Sequence, residues 1–267
     1  MLGQRIFTAV MLIAVLALVV VVLPPGLAVL ALGLLILTGA WEWSQLAGLT
    51  RVPARVTYVA ACAVAMALLW KAAAVPGGFE RVMLVTMLGW IPLFAWVALA
   101  PGFRVAGLAA FAGLWVLAPT WVALARLYLQ DGNGWQLVVF VLVLAWAADI
   151  GAYFAGRRFG RMRLAPIVSP NKTWEGVLGG LVAGFLVALA GRAWFNLPAP
   201  AFLSLCTAAV LVSVVGDLLE SMFKRQQGLK DSGSLLPGHG GMLDRIDSLT
   251  SSVPLLALGL GWMGVVA

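Results

Sequence analysis

The segment from Ser221 to Asp247, SMFKRQQGLKDSGSLLPGHGGMLDRID, combines cations, acids, glycines and one histidine between two apolar stretches. Solvated loops rarely need that mixture. The apolar stretch before it ends in GDLLES. If its helix continues, Asp217, Ser221 and Lys224 fall at i, i+4 and i+7 and share one face. The pattern therefore predicts a polar helix face at the end of this stretch.

A second helix is predicted to begin near Met242, and it places Asp244 and Asp247 on one face by the same rule. Two carboxylates 4 Å apart repel by roughly 4 kcal/mol at an effective dielectric of 20, and a divalent cation removes that cost. Oxygen ligands without a Cys or His cluster suit Mg²⁺. Substrate phosphates can fill the coordination positions of Mg²⁺ that the protein leaves open. We expect Asp217 and Asp244 to share the cation. The alternative is that each aspartate caps a helix or pairs with Arg245.

Glycines and cations in the same segment are typical of a phosphate site. Glycines leave backbone N–H groups open to an anion, and lysine or arginine supplies fixed charge. The glycines are Gly238, Gly240 and Gly241 around His239, and the cations are Lys224, Arg225 and Lys230. Taken singly, each has a more ordinary interpretation, since a lone histidine in a turn is often structural and surface cations often touch lipid headgroups.

An earlier polar segment, RRFGRMRLAPIVSPNKTWEG, offers a second anion site. Ser169 followed by Pro170 predicts a helix N-cap and its first residue. Lys172 and Thr173 would then lie in the first turn, where free N–H groups and the helix dipole attract phosphate. The alternative is an ordinary capped helix with a basic approach.

The elements that position these segments are predicted to be membrane-spanning helices. Of the 267 residues, 63% are hydrophobic and 10% charged, whereas soluble domains carry roughly 25% charged residues. Apolar runs of about 20 residues recur, as a bilayer requires. We predict an all-α polytopic membrane protein with nine spans near residues 6–24, 27–48, 56–75, 82–100, 105–126, 136–155, 176–195, 201–220 and 249–266. Residues 1–135 form an expected membrane scaffold, and residues 136–267 form the catalytic region. The first apolar run is longer than a signal peptide requires, so we expect it to be retained.

The charges predict which way the spans point. Of the seventeen Lys and Arg residues, four fall on one side of the nine-span arrangement: Lys71, Arg81, Arg126 and Arg192. The other thirteen share the side of the two polar loops, 156–175 and 221–248. Cytoplasmic loops carry the excess of Lys and Arg, so we expect the N-terminus and both loops in the cytoplasm and Ala267 outside it. Loop orientation and anionic lipids also explain the net charge of +7, so no nucleic-acid partner is predicted.

Several small and acidic residues lie within the spans. Glu42, Asp149, Asp217 and Glu220 lie in the part of their span nearest the polar loops, and an acid in a span is a functional hypothesis by default. For Glu42 a structural role is equally compatible. An ion or proton transporter is a rival interpretation, although the acids cluster at one face instead of lining the membrane depth. Gly176, Gly180 and Gly184 share one helix face and are expected to allow close helix packing, with a dimer contact as the alternative. The cysteines Cys62 and Cys206 are also expected to be packing residues.

Ser221 to Asp247 resembles the signature segment of the phosphatidate cytidylyltransferases, also called CDP-diacylglycerol synthases. The matching elements are Ser221, Lys224-Arg225, Lys230-Asp231, Pro237, His239-Gly240-Gly241 and Asp244-Arg245-Ile246-Asp247. The resemblance extends to Asp149–Gly156 and Ser169–Gly176, whereas the N-terminal half resembles the family mainly in hydropathy. Asn171 departs from the pattern, because a basic residue is frequent at that position.

The resemblance implies a multi-pass enzyme of the bacterial inner membrane that condenses CTP with phosphatidate to give CDP-diacylglycerol and pyrophosphate. It implies Mg²⁺, with a second cation left open, and a homodimer. The implied metal ligands are Asp217 and Asp244. The implied catalytic residues are Lys224, Arg225, Lys230, Asp231, His239, Arg245 and Asp247. The implied substrate-binding residues are Asp149, Ser169, Lys172, Thr173, Ser221, Gly240 and Gly241. A rival within enzymes is a CTP-dependent kinase of a polyprenol or similar alcohol, which would need a base for its neutral acceptor.

Overall fold

The computed structural model describes residue 11 and residues 14–105, 107–235 and 240–266, and it is almost entirely helical. A short π-helical segment, Leu18–Val22, precedes the long helices. The seven long helices are α1 (Pro25–Leu46), α2 (Val52–Ala73), α3 (Gly78–Leu99), α4 (Leu108–Tyr128), α5 (Gly134–Phe159), α6 (Trp174–Phe195) and α7 (Ala199–Gln226). Two strands, β1 (Arg163–Ala165) and β2 (Ser169–Thr173), connect α5 to α6, and two shorter helices, α8 (Leu243–Ile246) and α9 (Leu249–Trp262), end the chain.

Helices α1 to α7 are each long and apolar enough to cross a membrane. They confirm seven of the predicted spans. The first predicted span lies largely outside the described residues. The span predicted at 249–266 corresponds to α9, which has 14 residues and so extends only about 21 Å at 1.5 Å per residue. Proline opens several of these helices, for example Pro25 at the start of α1, since its missing N–H costs nothing there.

The polar connections collect at one end of the bundle. Gln226, the last residue of α7, donates from Nε2 to the carbonyl oxygens of Pro101 and Phe103 at 3.0 and 3.2 Å, which joins that end to the α3–α4 connection. Trp43 of α1 is 1% exposed, donates to the Ala109 carbonyl at 2.7 Å and packs edge-on against Phe223 of α7. The N-terminal helices therefore contact the polar end of the C-terminal ones directly.

Glycines allow α5 and α6 to pack backbone against backbone. A Cβ atom added to Gly151 would lie 2.6 Å from the Gly179 carbonyl oxygen, and one added to Gly180 would lie 2.9 Å from that of Ala148. A Cβ atom added to Gly176 would likewise lie 3.0 Å from the Ala152 carbonyl oxygen of α5, whereas Gly184 makes room for the Val210 side chain of α7. The predicted packing role of the glycine face is confirmed, because the face is used within the chain. Cys62 and Cys206 are buried and unbonded, as expected of packing residues.

Candidate active site

The C-terminal end of α7 presents the polar face that the sequence predicts. The helix continues without a break to Gln226, and the Ser221 hydroxyl donates to Asp217 Oδ1 at 3.2 Å one turn away. Lys224 Nζ lies 3.0 Å from Glu220 Oε2 and 2.7 Å from Asp244 Oδ1. All three side chains of this triad are at most 10% exposed. Lys224 therefore joins α7 to the segment before α9 through a buried ion pair.

Asp244 is held on both of its oxygens. Its Oδ1 accepts from Lys224, and its Oδ2 accepts from the backbone N–H groups of Ser232 and Gly241 at 3.0 and 2.8 Å. Burial raises the pKa of Asp244, but Lys224 and the two N–H donors outweigh burial and hold the pKa below its ordinary value. The carboxylate is therefore charged and fixed in position.

The segment before α6 is a β-hairpin, which corrects one sequence prediction. Ser169 and Pro170 do not cap a helix, because residues 169–173 form β2 and pair antiparallel with β1, with Ala165 opposite Ser169. Thr173 is the N-cap instead, and its Oγ1 accepts from the Gly176 N–H at 3.1 Å. Lys172 therefore lies in the strand just before the helix, not in the first turn, and its Nζ forms an ion pair with Asp217 Oδ2.

A polar cavity of about 670 Å³ opens between α5, the hairpin, α7 and the start of α8. Seven of the predicted site residues line it: Asp149, Lys172, Thr173, Asp217, Asp244, Arg245 and Asp247. Tyr153, Arg157 and Asn171 also contribute to its wall. The structure thus brings together residues from three separate parts of the sequence, which is what a site for a large anionic ligand requires.

The other predicted site residues lie around this cavity or away from it. Ser221, Gly241 and Lys224 act through Asp217 and Asp244 in the contacts above, and Gly240, with φ of 82°, approaches Asp244. Arg225, Lys230 and Asp231 are exposed, and Arg225 donates to the Leu229 carbonyl at 3.0 Å. Ser169 is absent from the wall of the cavity, and His239, Gly238 and Pro237 lie outside the described residues.

Asp247, in the wall of the cavity, lies near several other acids. Asp247 interacts with the charges of Asp217, Glu220 and Asp149, and burial together with these neighbours raises its pKa well above the ordinary value. The Ser248 hydroxyl donates to Asp149 Oδ2 at 3.3 Å. Such crowding favours a bound cation.

The donor chemistry fits Mg²⁺ only if the substrate completes its shell. Within the described residues, no three Asp, Glu, His or Cys side chains converge as a ready-made metal site. Asp217 and Asp244 each already have a lysine on one oxygen. Mg²⁺ is commonly held by one or two carboxylates and by substrate phosphates, which agrees with this arrangement.

Arg157 is a cavity residue that the sequence argument missed. It lies near the end of α5, and its Nη1 donates to the Tyr153 hydroxyl at 2.8 Å. In the sequence, Arg157 stands in a run of basic residues whose charge indicates the orientation of the spans but not a cavity. The Arg157 position two turns after Asp149 on the same helix was the signal that could have identified it.

An apolar groove of about 510 Å³ adjoins the polar cavity. Its walls come from α3, α6 and α7, and Ile91, Phe94 and Trp174 are more than half exposed there. Leu164, Val177 and Val214 line both spaces. A ligand with a polar head and an apolar tail could therefore occupy the two spaces at once.

The geometry describes a helical protein with membrane-spanning segments and with a polar cavity that shares wall residues with an apolar groove. Residues 3–262 match the model of the cytidylyltransferase family, so the chain belongs to that family. It is 44% identical to the phosphatidate cytidylyltransferase of Pseudomonas aeruginosa, with 98% of this chain and 99% of the relative aligned. It is 37% identical to the phosphatidate cytidylyltransferase of Haemophilus influenzae, over 96% and 98% of the two chains. A relative of the same name from Brucella suis is 44% identical over 55% of this chain.

Proposed function

We propose that this chain joins a cytidylyl group from CTP to phosphatidate, giving CDP-diacylglycerol and pyrophosphate. Two near-full-length relatives carry the corresponding name. The observation that carries the proposal is the polar cavity with Lys172, Arg157 and Arg245 in its wall, which shares Leu164, Val177 and Val214 with an apolar groove suited to acyl chains. The triphosphate and the lipid phosphate would meet in the cavity while the acyl chains stay in the groove.

The reaction needs no covalent enzyme intermediate. An oxygen of the phosphatidate phosphate forms a bond to the α-phosphorus of CTP. The bond from that phosphorus to the oxygen bridging to the β-phosphate breaks, and its electron pair leaves with pyrophosphate. Because the attacking oxygen is already anionic, the chain's main tasks are to position both substrates and to offset negative charge. The positions of Lys172 and Arg157 in the cavity wall support giving them the second task.

Mg²⁺ is part of the proposal, with Asp217 and Asp244 as the residues that would hold it and Asp149 and Asp247 beside them. When bound, it would neutralise charge on the triphosphate and on the departing pyrophosphate. The four aspartates that line the cavity, Asp149, Asp217, Asp244 and Asp247, support this assignment.

A direct assay separates this function from its rival. Purified protein in detergent with Mg²⁺, phosphatidate and labelled CTP should release pyrophosphate and form a labelled lipid. A CTP-dependent lipid kinase would instead release CDP, and only with an alcohol acceptor. CDP release without a nucleotide-lipid product would overturn the proposal.

We further propose the orientation: nine spans, with the polar end of the bundle in the cytoplasm. The thirteen-to-four distribution of basic residues supports it. In a variant lacking Cys62 and Cys206, an impermeant thiol reagent added to intact cells should not label a cysteine placed at exposed Ser234. It should label one placed at Asn133, which is exposed in the connection at the opposite end. The reverse labelling pattern would show the topology to be inverted.

Lys172 is proposed to bind a substrate phosphate once it is released from Asp217. Its side chain is 25% exposed at the cavity wall, so Lys172→Gln should leave the fold intact. We expect kcat/KM to fall by about tenfold, as loss of a charge-assisted hydrogen bond of roughly 1.5 kcal/mol predicts. Steady-state kinetics with each substrate varied would measure it.

The matched control is Lys71→Gln, an exposed lysine at the opposite end of the bundle. Equal kcat/KM for Lys172→Gln and wild type would exclude the role.

The homodimer is likewise a proposal, supported only by the family resemblance. The glycine face of α6 packs within the chain, so a dimer contact would have to use another surface. The mass of the detergent-solubilised particle would decide the oligomeric state.

A further inference from the structure

Glu42 is a buried acid that the proposed reaction does not use. It lies near the C-terminal end of α1, in the N-terminal half of the chain, and it is 4% exposed. An acid buried within a membrane-spanning helix is retained only where it has partners. The contacts of its two oxygens show what those partners are.

Among the described residues, the hydrogen bonds to the Glu42 carboxylate come from the connection between α7 and α9. Oε1 accepts from the Met242 N–H at 3.0 Å, and Oε2 accepts from the Leu243 N–H at 2.7 Å and from the Ser232 hydroxyl at 2.9 Å. These partners are about two hundred positions away in sequence. A single side chain of α1 thus binds Ser232, shortly after the end of α7, and also Met242 and Leu243, at the start of α8.

Asp244 accepts hydrogen bonds from the same two parts of the chain as Glu42, at Ser232 and next to Met242. Its Oδ2 accepts from the N–H groups of Ser232 and Gly241, each at or next to a residue that Glu42 binds. The fit is tight: a Cβ atom added to Gly241 would lie 2.3 Å from Glu42 Oε2. Moving the Glu42 carboxylate would therefore move the backbone that sets the direction of Asp244.

We infer that Glu42 is a positioning residue for Asp244, through which the N-terminal half of the chain takes part in the transfer reaction. The inference rests on the proposed function of Asp244. Groups that orient metal- or substrate-binding side chains typically contribute 10- to 100-fold to activity. The three hydrogen bonds to Glu42 are the structural basis for such a contribution.

Glu42→Gln is the informative change, because it keeps the shape and replaces one acceptor oxygen by a donor. Whichever way the amide turns, the N–H of Met242 or of Leu243 loses its acceptor. We expect kcat to fall by about 10- to 100-fold with KM for both substrates nearly unchanged, since Lys172 and Arg157 lie on β2 and α5 and not on the displaced segment. Glu42→Asp, which keeps the charge, should recover part of the loss.

A double-mutant cycle and hydrogen exchange separate positioning from general damage. If Glu42 acts through Asp244, Glu42→Gln combined with Asp244→Asn should be no slower than Asp244→Asn alone. Peptide-level hydrogen exchange of residues 240–247 should be faster in Glu42→Gln than in wild type. Ser232→Ala, which removes one of the three donors, should show the same changes to a smaller degree. The matched control is Glu80→Gln, in the first turn of α3 at the opposite end, which should behave as wild type.

The outcomes are distinct. Multiplied losses in the double mutant, or unchanged exchange and kcat in Glu42→Gln, would overturn the inference while wild-type activity stands. If Glu42→Gln does not fold, Ser232→Ala with wild-type kcat and exchange would overturn it. A wild-type protein without cytidylyl transfer would instead refute the proposed function, and the exchange result would still test whether Glu42 holds the segment.

Discussion

Replacing Asp217 or Asp244 by asparagine should reduce turnover by about 10²- to 10³-fold, the scale seen when one preorganised electrostatic contact to a transition state is lost. Both side chains line the cavity, and both are the proposed holders of Mg²⁺. Since they would act as one unit, the double variant should be little slower than either single variant. Steady-state kinetics across a Mg²⁺ titration measures this. Multiplied losses, or near wild-type turnover of either variant at low Mg²⁺, would refute the shared site.

Repulsion between two unpaired carboxylates would predict that these variants gain stability, but the structure gives each carboxylate a lysine partner. Asp244 has its pKa lowered in the folded state, so its charge stabilises the fold above the ordinary pKa of an aspartic acid. That contribution is lost as the pH falls through the lowered value. Asp244→Asn should therefore lower the unfolding temperature at neutral pH, and the difference from wild type should shrink in acid.

Lys224→Met should be the most destabilising of the changes considered. It leaves Glu220 and Asp244 buried without their shared cation, and breaking a buried pair in this way costs about 3–5 kcal/mol. Thermal unfolding in detergent should show a decrease of about 10 °C. Glu220→Gln in the same chain should recover part of it, because one uncompensated charge is removed.

The matched control for Lys224→Met is Arg225→Met. Arg225 is the next residue, carries the same charge and is exposed. Its loss should leave the unfolding temperature unchanged. Equal unfolding temperatures for Lys224→Met and wild type would mean that the triad does not stabilise the fold.

The seven long helices could be predicted because each depends on a local run of apolar residues. The shared face of Asp217, Ser221 and Lys224 could be predicted for the same reason, since helical spacing alone sets it. The hairpin was missed because Ser169-Pro170 has the local signature of a helix start. Its strand depends on pairing with β1, which no signal within residues 169–173 reveals.

The partners of the charged residues were the other part that the sequence could not supply. Lys172 and Lys224 were assigned to phosphate and Asp217 and Asp244 to metal, whereas the structure pairs each lysine with one of these carboxylates. The contacts of Glu42 span about two hundred positions and leave no local pattern. Long-range contacts of this kind depend on how the helices pack, and spacing along the chain does not record them.

The polar cavity and the apolar groove share a wall at Leu164, Val177 and Val214, so a site of this kind takes its two substrates from different phases, and their concentrations are expressed in different units. Under the proposed function, CTP arrives from a solution, where its supply is an amount per volume. Phosphatidate arrives along a bilayer, where its supply is a fraction of the surrounding lipid molecules. Dilution of the aqueous phase would therefore affect one substrate and leave the other untouched, while inert lipid would do the opposite. The product would never leave the two-dimensional phase in which its acyl chains already lie.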